Sequence, residues 1–433
     1  MEGRIEAEWE RLRRAVVHRP GIEMFFGLLD PYASLYERAF SQSSALEEHD
    51  KLVSTLRSEF RVRVDSLSEI ISRQARRDKK AKEALVETAI EHAEFVGNRL
   101  EVALAKKEMA LSADTYDIDY FINIILLRPR VALKKNKKGA EAIHINITAR
   151  DPLANLYFMH DQQAVTDRGI FLSEMSKPQR KHEPEFTGTL WKMMNLNVVH
   201  RCEAPGTFEG GDFMPMKEFA LIGCGDRTNA RGAEQMLKHG QSFPEVGIVH
   251  QPAHPLMPRG ESDPMVNMHL DTYFNVAGSD IAIGSELLLK RATVDIYVKH
   301  GNSYKKDKKR TSLFDYIKGK GFDIINLSTL EQMSYASNFL CIKDHTILAV
   351  ESKSIAKSVL RDLEFKARLD KERYGALLSQ AKKDYNAFLR SGQMFPHKKE
   401  VGQNGIDFYA IDLKNITGGY GGAHCMTAAL ERN

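Results

Sequence analysis

The chain has 433 residues, 42% of them hydrophobic and 28% charged. Its 62 basic and 58 acidic side chains leave a net charge of +4, too small a surplus to point to nucleic acid. Four cysteines, Cys202, Cys224, Cys341 and Cys425, are widely spaced without a CxxC pair, which argues against a disulfide framework or a zinc knuckle. The length exceeds what one core usually needs, so a large domain with a sub-domain, or two domains, is expected. The opening MEGRIEAEWERLRR lacks the apolar stretch of a signal peptide, and the longest apolar run, 122–127, is far short of a membrane span. A reducing, cytoplasmic setting without a membrane partner is expected.

In chain order, residues 15–18 read as a first strand ended by Arg19-Pro20-Gly21. Residues 46–60 carry apolar side chains at helical spacing, and 62–64 form a short strand. From 66 to 128 the sequence turns helical, with 84–105 rich in Ala, Glu and Leu. This segment is expected as a helical sub-domain inserted into a mixed α/β body formed by 1–65 and 129–433. From 143 onward short strands and tight turns dominate: 219–223, 268–276, 281–283 and 294–298 are strand-like, and 311–318 fits a helix. Residues 352–389 form a second long helical stretch, polar on most faces, expected as a surface arm or helix pair. Three basic runs, at 76–80, 134–138 and 305–310, fit solvated helix ends and loops. They lack the interleaved aromatics of a single-strand binding platform.

Four segments carry chemistry. Asn155-Leu-Tyr-Phe-Met-His-Asp161 is a strand-like apolar stretch ending in a carboxylate. In Phe208-Glu-Gly-Gly-Asp212, two glycines between two acids permit a tight turn or a close approach to a ligand. In Met268-His-Leu-Asp-Thr272, His269 and Asp271 would project from one face if the segment is a strand. Thr417-Gly-Gly-Tyr-Gly-Gly-Ala-His-Cys-Met-Thr427 packs four glycines into five positions ahead of Cys425. Such a loop is costly to order unless its backbone must lie against a ligand. The set fits one substrate. A guanidinium is planar, cationic and rich in N–H donors, so carboxylates bind it in pairs. Its carbon is a poor electrophile and needs a strong nucleophile such as a thiolate.

These strings resemble the arginine deiminase family of guanidino-group-modifying enzymes. NLYFMHD is similar to the family's asparagine–aromatic–aspartate segment, FEGGD to its EGGD motif, and MHLDT is the family's own string. GGYGGAHCMT resembles its terminal glycine loop. VVHRPG, Glu47-Glu48-His49-Asp50, and Glu331-Gln332 with Asn338 are further, weaker likenesses. The resemblance implies a five-bladed pseudosymmetric α/β propeller with a helical insertion. It implies that L-arginine is deiminated to L-citrulline and ammonia through a covalent cysteine-thiouronium intermediate, without metal or organic cofactor. By it, Cys425 is the nucleophile, His269 the general acid/base, and Asp161 and Asp271 hold the guanidinium. Glu209 partners the histidine, Asp212 supports it, and Asn155, Arg180 and Arg227 meet the amino-acid end of the substrate. The expected partner is a small guanidinium molecule, not nucleic acid, bound by a homo-oligomer.

Two departures stand out. The family's terminal loop usually carries an arginine, whereas this chain has Gly418, Gly419 and Tyr420 there. The 352–389 stretch is longer than the corresponding family segment. The altered loop keeps open a related guanidine, such as agmatine or a modified arginine, or transfer of the amidino group to an amine. A binding or regulatory protein on the same fold is the alternative from another class.

Overall fold

Strand pairing organises the chain, and the computed structural model describes residues 3–135, 143–258 and 260–433. Among these the strands form six small sheets. In each of them a strand runs antiparallel to one neighbour and parallel to the other; Pro129–Lys135 does so between Glu94–Val96 and Ile143–Ala149, and five more recur along the chain. These five are Leu12–Val17, Ile170–Leu172, Phe219–Cys224, Ile281–Gly284 and Thr346–Val350. Each parallel connection carries a helix, the expected way to return a chain to the same sheet edge. The first sheet pairs Leu12–Val17 with Ala428–Arg432, which brings the two ends of the sequence together. The fold is therefore α/β with mixed sheets.

Local chemistry explains the elements. The helix Gln42–Ser58 starts at Ser41, whose hydroxyl accepts from the Ser44 amide, and it buries Ala45, His49, Leu52 and Leu56 on one face. In the 66–128 segment, helices Leu67–Arg77, Lys79–His92, Arg99–Leu111 and Ile118–Leu127 bring Ile70, Ile71, Leu85, Ala89, Phe121 and Ile125 into an apolar cluster shared with Val16, Ile170, Phe186 and Leu430 of the rest of the chain. A strand within this segment, Glu94–Val96, pairs with Pro129–Lys135 just beyond it, so the helical stretch also contains one sheet edge. The 352–389 stretch is a helix pair, Ser352–Leu369 and Lys371–Ser391. Asp370 breaks it and caps the second helix. Ile355, Ala356, Val359, Leu363, Leu377 and Ala381 bury its inner face.

Several expectations need correction. Residues 155–161 form turns, not a strand, because Leu156, Tyr157, Phe158 and Met159 are all buried and plug the space between sheets without pairing. Within 268–276 only Phe274–Val276 is a strand; Leu270–Thr272 is a 3-10 turn. The helix expected at 311–318 begins at Leu313, capped by Ser312, which still belongs to the strand Ser303–Ser312. The basic run 305–310 lies on that same strand, at a sheet edge, where charged side chains discourage pairing with another chain. Of the run at 134–138, residues 136–138 lie outside the described residues.

Candidate active site

The chemistry collects just ahead of the antiparallel edge strand of each recurring sheet. Asp161 precedes Gln163–Val165, and Glu209 and Asp212 precede Phe213–Pro215. Asp271 precedes Phe274–Val276, Asn338 precedes Leu340–Lys343, and Cys425 precedes Ala428–Arg432. Five sheets thus each hand over a side chain from an equivalent position. All of these side chains are buried.

Cys425 stands against Asn338 and Asp271. The Asn338 amide donates to Sγ at 3.1 Å and to Asp271 Oδ2 at 3.0 Å. Its oxygen accepts from the backbone amides of Gly422 at 2.8 Å and Cys425 at 3.1 Å. Sγ lies 3.4 Å from Asp271 Oδ2. Burial, and then the Asp271 and Asp161 charges, push the thiol well above its ordinary pKa. These surroundings favour the thiol over the thiolate.

His269 and Asp271 do not share a strand face. The 3-10 turn sends them apart: His269 Nε2 is 2.9 Å from Glu209 Oε2 and its Nδ1 is 3.9 Å from Asp161 Oδ1. Burial opposes the imidazolium, but Asp161 and the Glu209 hydrogen bond outweigh it and hold His269 at a pKa of about 9. Burial also opposes the Glu209 carboxylate, yet Arg227, His269 and Arg180 keep it well below the usual range. Burial lifts Asp212 to about 6 despite His269, and its Oδ1 accepts from the Leu270 amide at 3.0 Å. The double glycine follows from this crowding. A Cβ at Gly211 would fall 2.8 Å from His269 Nδ1, and one at Gly210 would collide with the carbonyls of His160 and Gln163.

Of the three residues expected at the amino-acid end of the substrate, Arg180 and Asn155 are bonded within the protein. Arg180 is buried and fully engaged: Nη1 donates to Asp161 Oδ2 at 2.7 Å, and Nε and Nη2 donate to Glu183 at 3.0 and 2.8 Å. It lies beside the acid expected to hold a guanidinium and forms part of that wall. Asn155 donates to the Ser34 carbonyl at 2.7 Å. Arg227 is buried with Nη1 3.7 Å from Glu209 Oε2 and without a hydrogen-bond partner. Tyr420, at φ +74°, has Lys366 Nζ 6.0 Å from its ring centre. Arg38 Nη2 donates to the Lys414 carbonyl at 2.9 Å, so the cations beside the glycine loop come from other segments.

Two groups escaped the sequence reading. His424 Nδ1 lies 2.9 Å from Asp271 Oδ2, and its ring packs 4.2 Å from that of His160. Against burial, Asp271 and Glu8 raise His424 to about 9. Glu8 joins from the opposite end of the sequence, 3.2 Å from Arg432 Nη2. The position of His424 beside Cys425 was the available signal; nothing in the spacing pointed to Glu8. Asn338 was visible only as part of a weak likeness.

An α/β chain that gathers a thiol, an imidazole and paired carboxylates from separate small sheets defines a class of covalent cysteine enzymes acting on cationic carbon centres. The arginine deiminase family model matches residues 33–432, nearly the whole length, and the chain belongs to the arginine deiminase family. It is 24% identical to an arginine deiminase of Halobacterium salinarum, over 98% of this chain and 96% of that protein. It is 26% identical to one from Limosilactobacillus reuteri, over 82% of this chain and 90% of that protein. The fold is similar to that of a dimethylarginine dimethylaminohydrolase variant carrying an S-methyl-L-thiocitrulline adduct. There the TM-score is 0.50 at 15% identity, covering 96% of this chain and 99% of that one. No helix among the described residues is long and apolar enough to cross a membrane.

Proposed function

We propose that this chain hydrolyses L-arginine to L-citrulline and ammonia through a thiouronium intermediate on Cys425. One observation carries the reading. Asp161 Oδ1 and Asp271 Oδ1 are both buried without a hydrogen-bond partner, and Asp271 lies against the Cys425 thiol. Unpaired buried carboxylate oxygens are costly, and a planar cation with N–H donors on both edges relieves that cost.

The steps follow. The bound guanidinium lowers the thiol's pKa, and the Sγ proton passes to water, to be taken up finally by the released ammonia as ammonium. The thiolate electron pair attacks the guanidinium carbon. The C–N bond to one terminal nitrogen breaks as His269 gives its proton to the departing ammonia. Water then adds to the thiouronium carbon while the neutral imidazole takes a proton. The C–S bond breaks as the proton of the added hydroxyl passes to the departing sulfur, restoring the Cys425 thiol and releasing the urea group of citrulline. Asp161 and Asp271 hold the cation, and Glu209 steadies the imidazolium. Arg227, whose buried Nη1 has no hydrogen-bond partner although it lies 3.7 Å from Glu209, is the cation assigned to the α-carboxylate. This favours arginine over agmatine, which lacks one.

The five recurring sheets support a five-bladed pseudosymmetric propeller around this site, with 66–128 inserted and 352–389 as a helical arm. The deciding experiment is mass spectrometry of the enzyme quenched during turnover with arginine, agmatine and methylated arginines. An adduct on Cys425 formed fastest from arginine supports the reading. Full turnover by Cys425→Ala overturns it. An Arg227→Ala variant that slows arginine and agmatine equally overturns the assignment of the carboxylate partner.

A further inference from the structure

At the joint between the 66–128 segment and the main body, three side chains converge that share no residue with the thiol site. His92 ends the helix Lys79–His92. His182 and Glu185 sit at the start of the helix Glu183–Met193. One ligand-type atom from each lies within 4.8 Å of the others. His92 Nε2 is 3.6 Å from Glu185 Oε2, and His182 Nδ1 is 2.9 Å from the same oxygen. The first separation is close to the edge of a tetrahedron built on zinc bonds of about 2.0–2.2 Å.

The environment points the same way. His92 is 7% exposed, and its Nε2 has no hydrogen-bond partner. Its Nδ1 is 2.8 Å from the Thr88 carbonyl, an oxygen that can only accept. The proton therefore sits on Nδ1, and Nε2 aims a bare lone pair at a carboxylate oxygen. Glu185 is part-exposed and its Oε2 already meets His182 Nδ1, so the unsatisfied atom is the buried His92 Nε2, whose lone pair a cation between the three groups would take up. The backbone contact on the far nitrogen is the arrangement that orients a metal-bound histidine. Arg201 Nη2, 3.7 Å from Glu185 Oε1, steadies the other carboxylate oxygen. A cavity of about 440 Å³ opens beside the cluster and leaves room for a fourth ligand. Arg128 and Lys192 line that cavity, so an anionic fourth ligand such as chloride or a carboxylate is favoured.

We propose that His92, His182 and Glu185 form a divalent-metal site of the zinc type that ties the 66–128 segment to the body. The consequence reaches the thiol site through one short connection. His182 and Glu185 bracket Glu183, whose carboxylate holds Arg180 against Asp161. An ion here fixes the turn on which Arg180 is mounted.

The test uses the full chain, stripped with chelator and titrated with ZnCl₂ by calorimetry, and with CoCl₂ watched for the visible bands of tetrahedral cobalt. One equivalent should disappear, or bind about tenfold or more weakly, in both His92→Asn and His182→Asn. The half-exposed His182 makes the second variant the one that keeps its fold. Cys425→Ala should retain that equivalent. Ions held by the two histidine–carboxylate groups of the thiol site would survive both histidine substitutions. Titrations of His182→Asn that match the parent overturn the proposal, as does loss of the equivalent in Cys425→Ala.

Discussion

Asn338 is the residue on which the nucleophile most depends. Its amide touches Sγ and Asp271, while its oxygen pins the backbone at Gly422 and Cys425. Replacing it with Ala removes the donor that favours a thiolate and frees the loop carrying it. Asn338→Ala should lower kcat about 10²- to 10³-fold with little change in KM, measured by citrulline formation. The histidines set the pH behaviour. In the folded chain His269 and His424 stand at about 9 against an ordinary 6.5. Their stabilisation is therefore complete below pH 6.5 and is lost as pH rises through 9. The groups facing them are Asp161, Glu209 and Asp212 for His269, and Asp271, Glu8 and His160 for His424. The unfolding midpoint should fall across that window, and His424→Gln should flatten the fall. Activity should decline on the same alkaline side, because a neutral His269 has no proton for departing ammonia. An alkaline limb unchanged in a His269 variant that still turns over would refute that role.

At the scale of the element, the glycine segments are shaped by what they touch. Gly211→Ala forces a Cβ into the His269 imidazole and should cost activity far more than stability, read as kcat/KM beside the thermal midpoint. The terminal loop is held from outside by Glu48, whose carboxylate accepts from the Asn415 and Ile416 amides at 2.9 and 2.8 Å. Burial raises the Glu48 pKa against those bonds. Glu48→Gln keeps the shape and weakens the anchor, and should raise KM several-fold with the fold intact. The elements also show what a sequence can and cannot reveal. Helices with a clear apolar face, such as Gln42–Ser58, and the broken pair at 352–389 were legible because periodicity and caps are local signals. The segments carrying Asp161 and Asp271 were misread as strands. Their apolar residues are buried on all sides, so period two was mimicked without any pairing.

On the scale of the whole molecule, contacts distant in sequence decide the site, and these left the fewest traces. Cys425, Asp161, Glu209, His269 and Asp271 were visible through short motifs, whereas Glu8 entered only because the first and last strands share a sheet. Arg432 bridges that closure, donating to the carbonyls of Glu10 and Cys341 at 2.8 Å each and to Glu8. It is buried, so Arg432→Met leaves the buried Glu8 with only the His424 imidazolium, 3.8 Å away, as its cation. The expected loss is about 3–5 kcal/mol, seen as a lowered midpoint in urea or heat. A midpoint within experimental error of the parent would show that the closure does not depend on this pair.

Because each recurring sheet contributes its reactive group from the same position, no stretch of a hundred residues contains a working portion of the chemistry. A half-formed molecule is silent. Turnover is thus an all-or-none gauge of assembly: recovery of citrulline release after denaturation times the last sheet to lock, whichever it is. Spectroscopic probes placed in one sheet should run ahead of it.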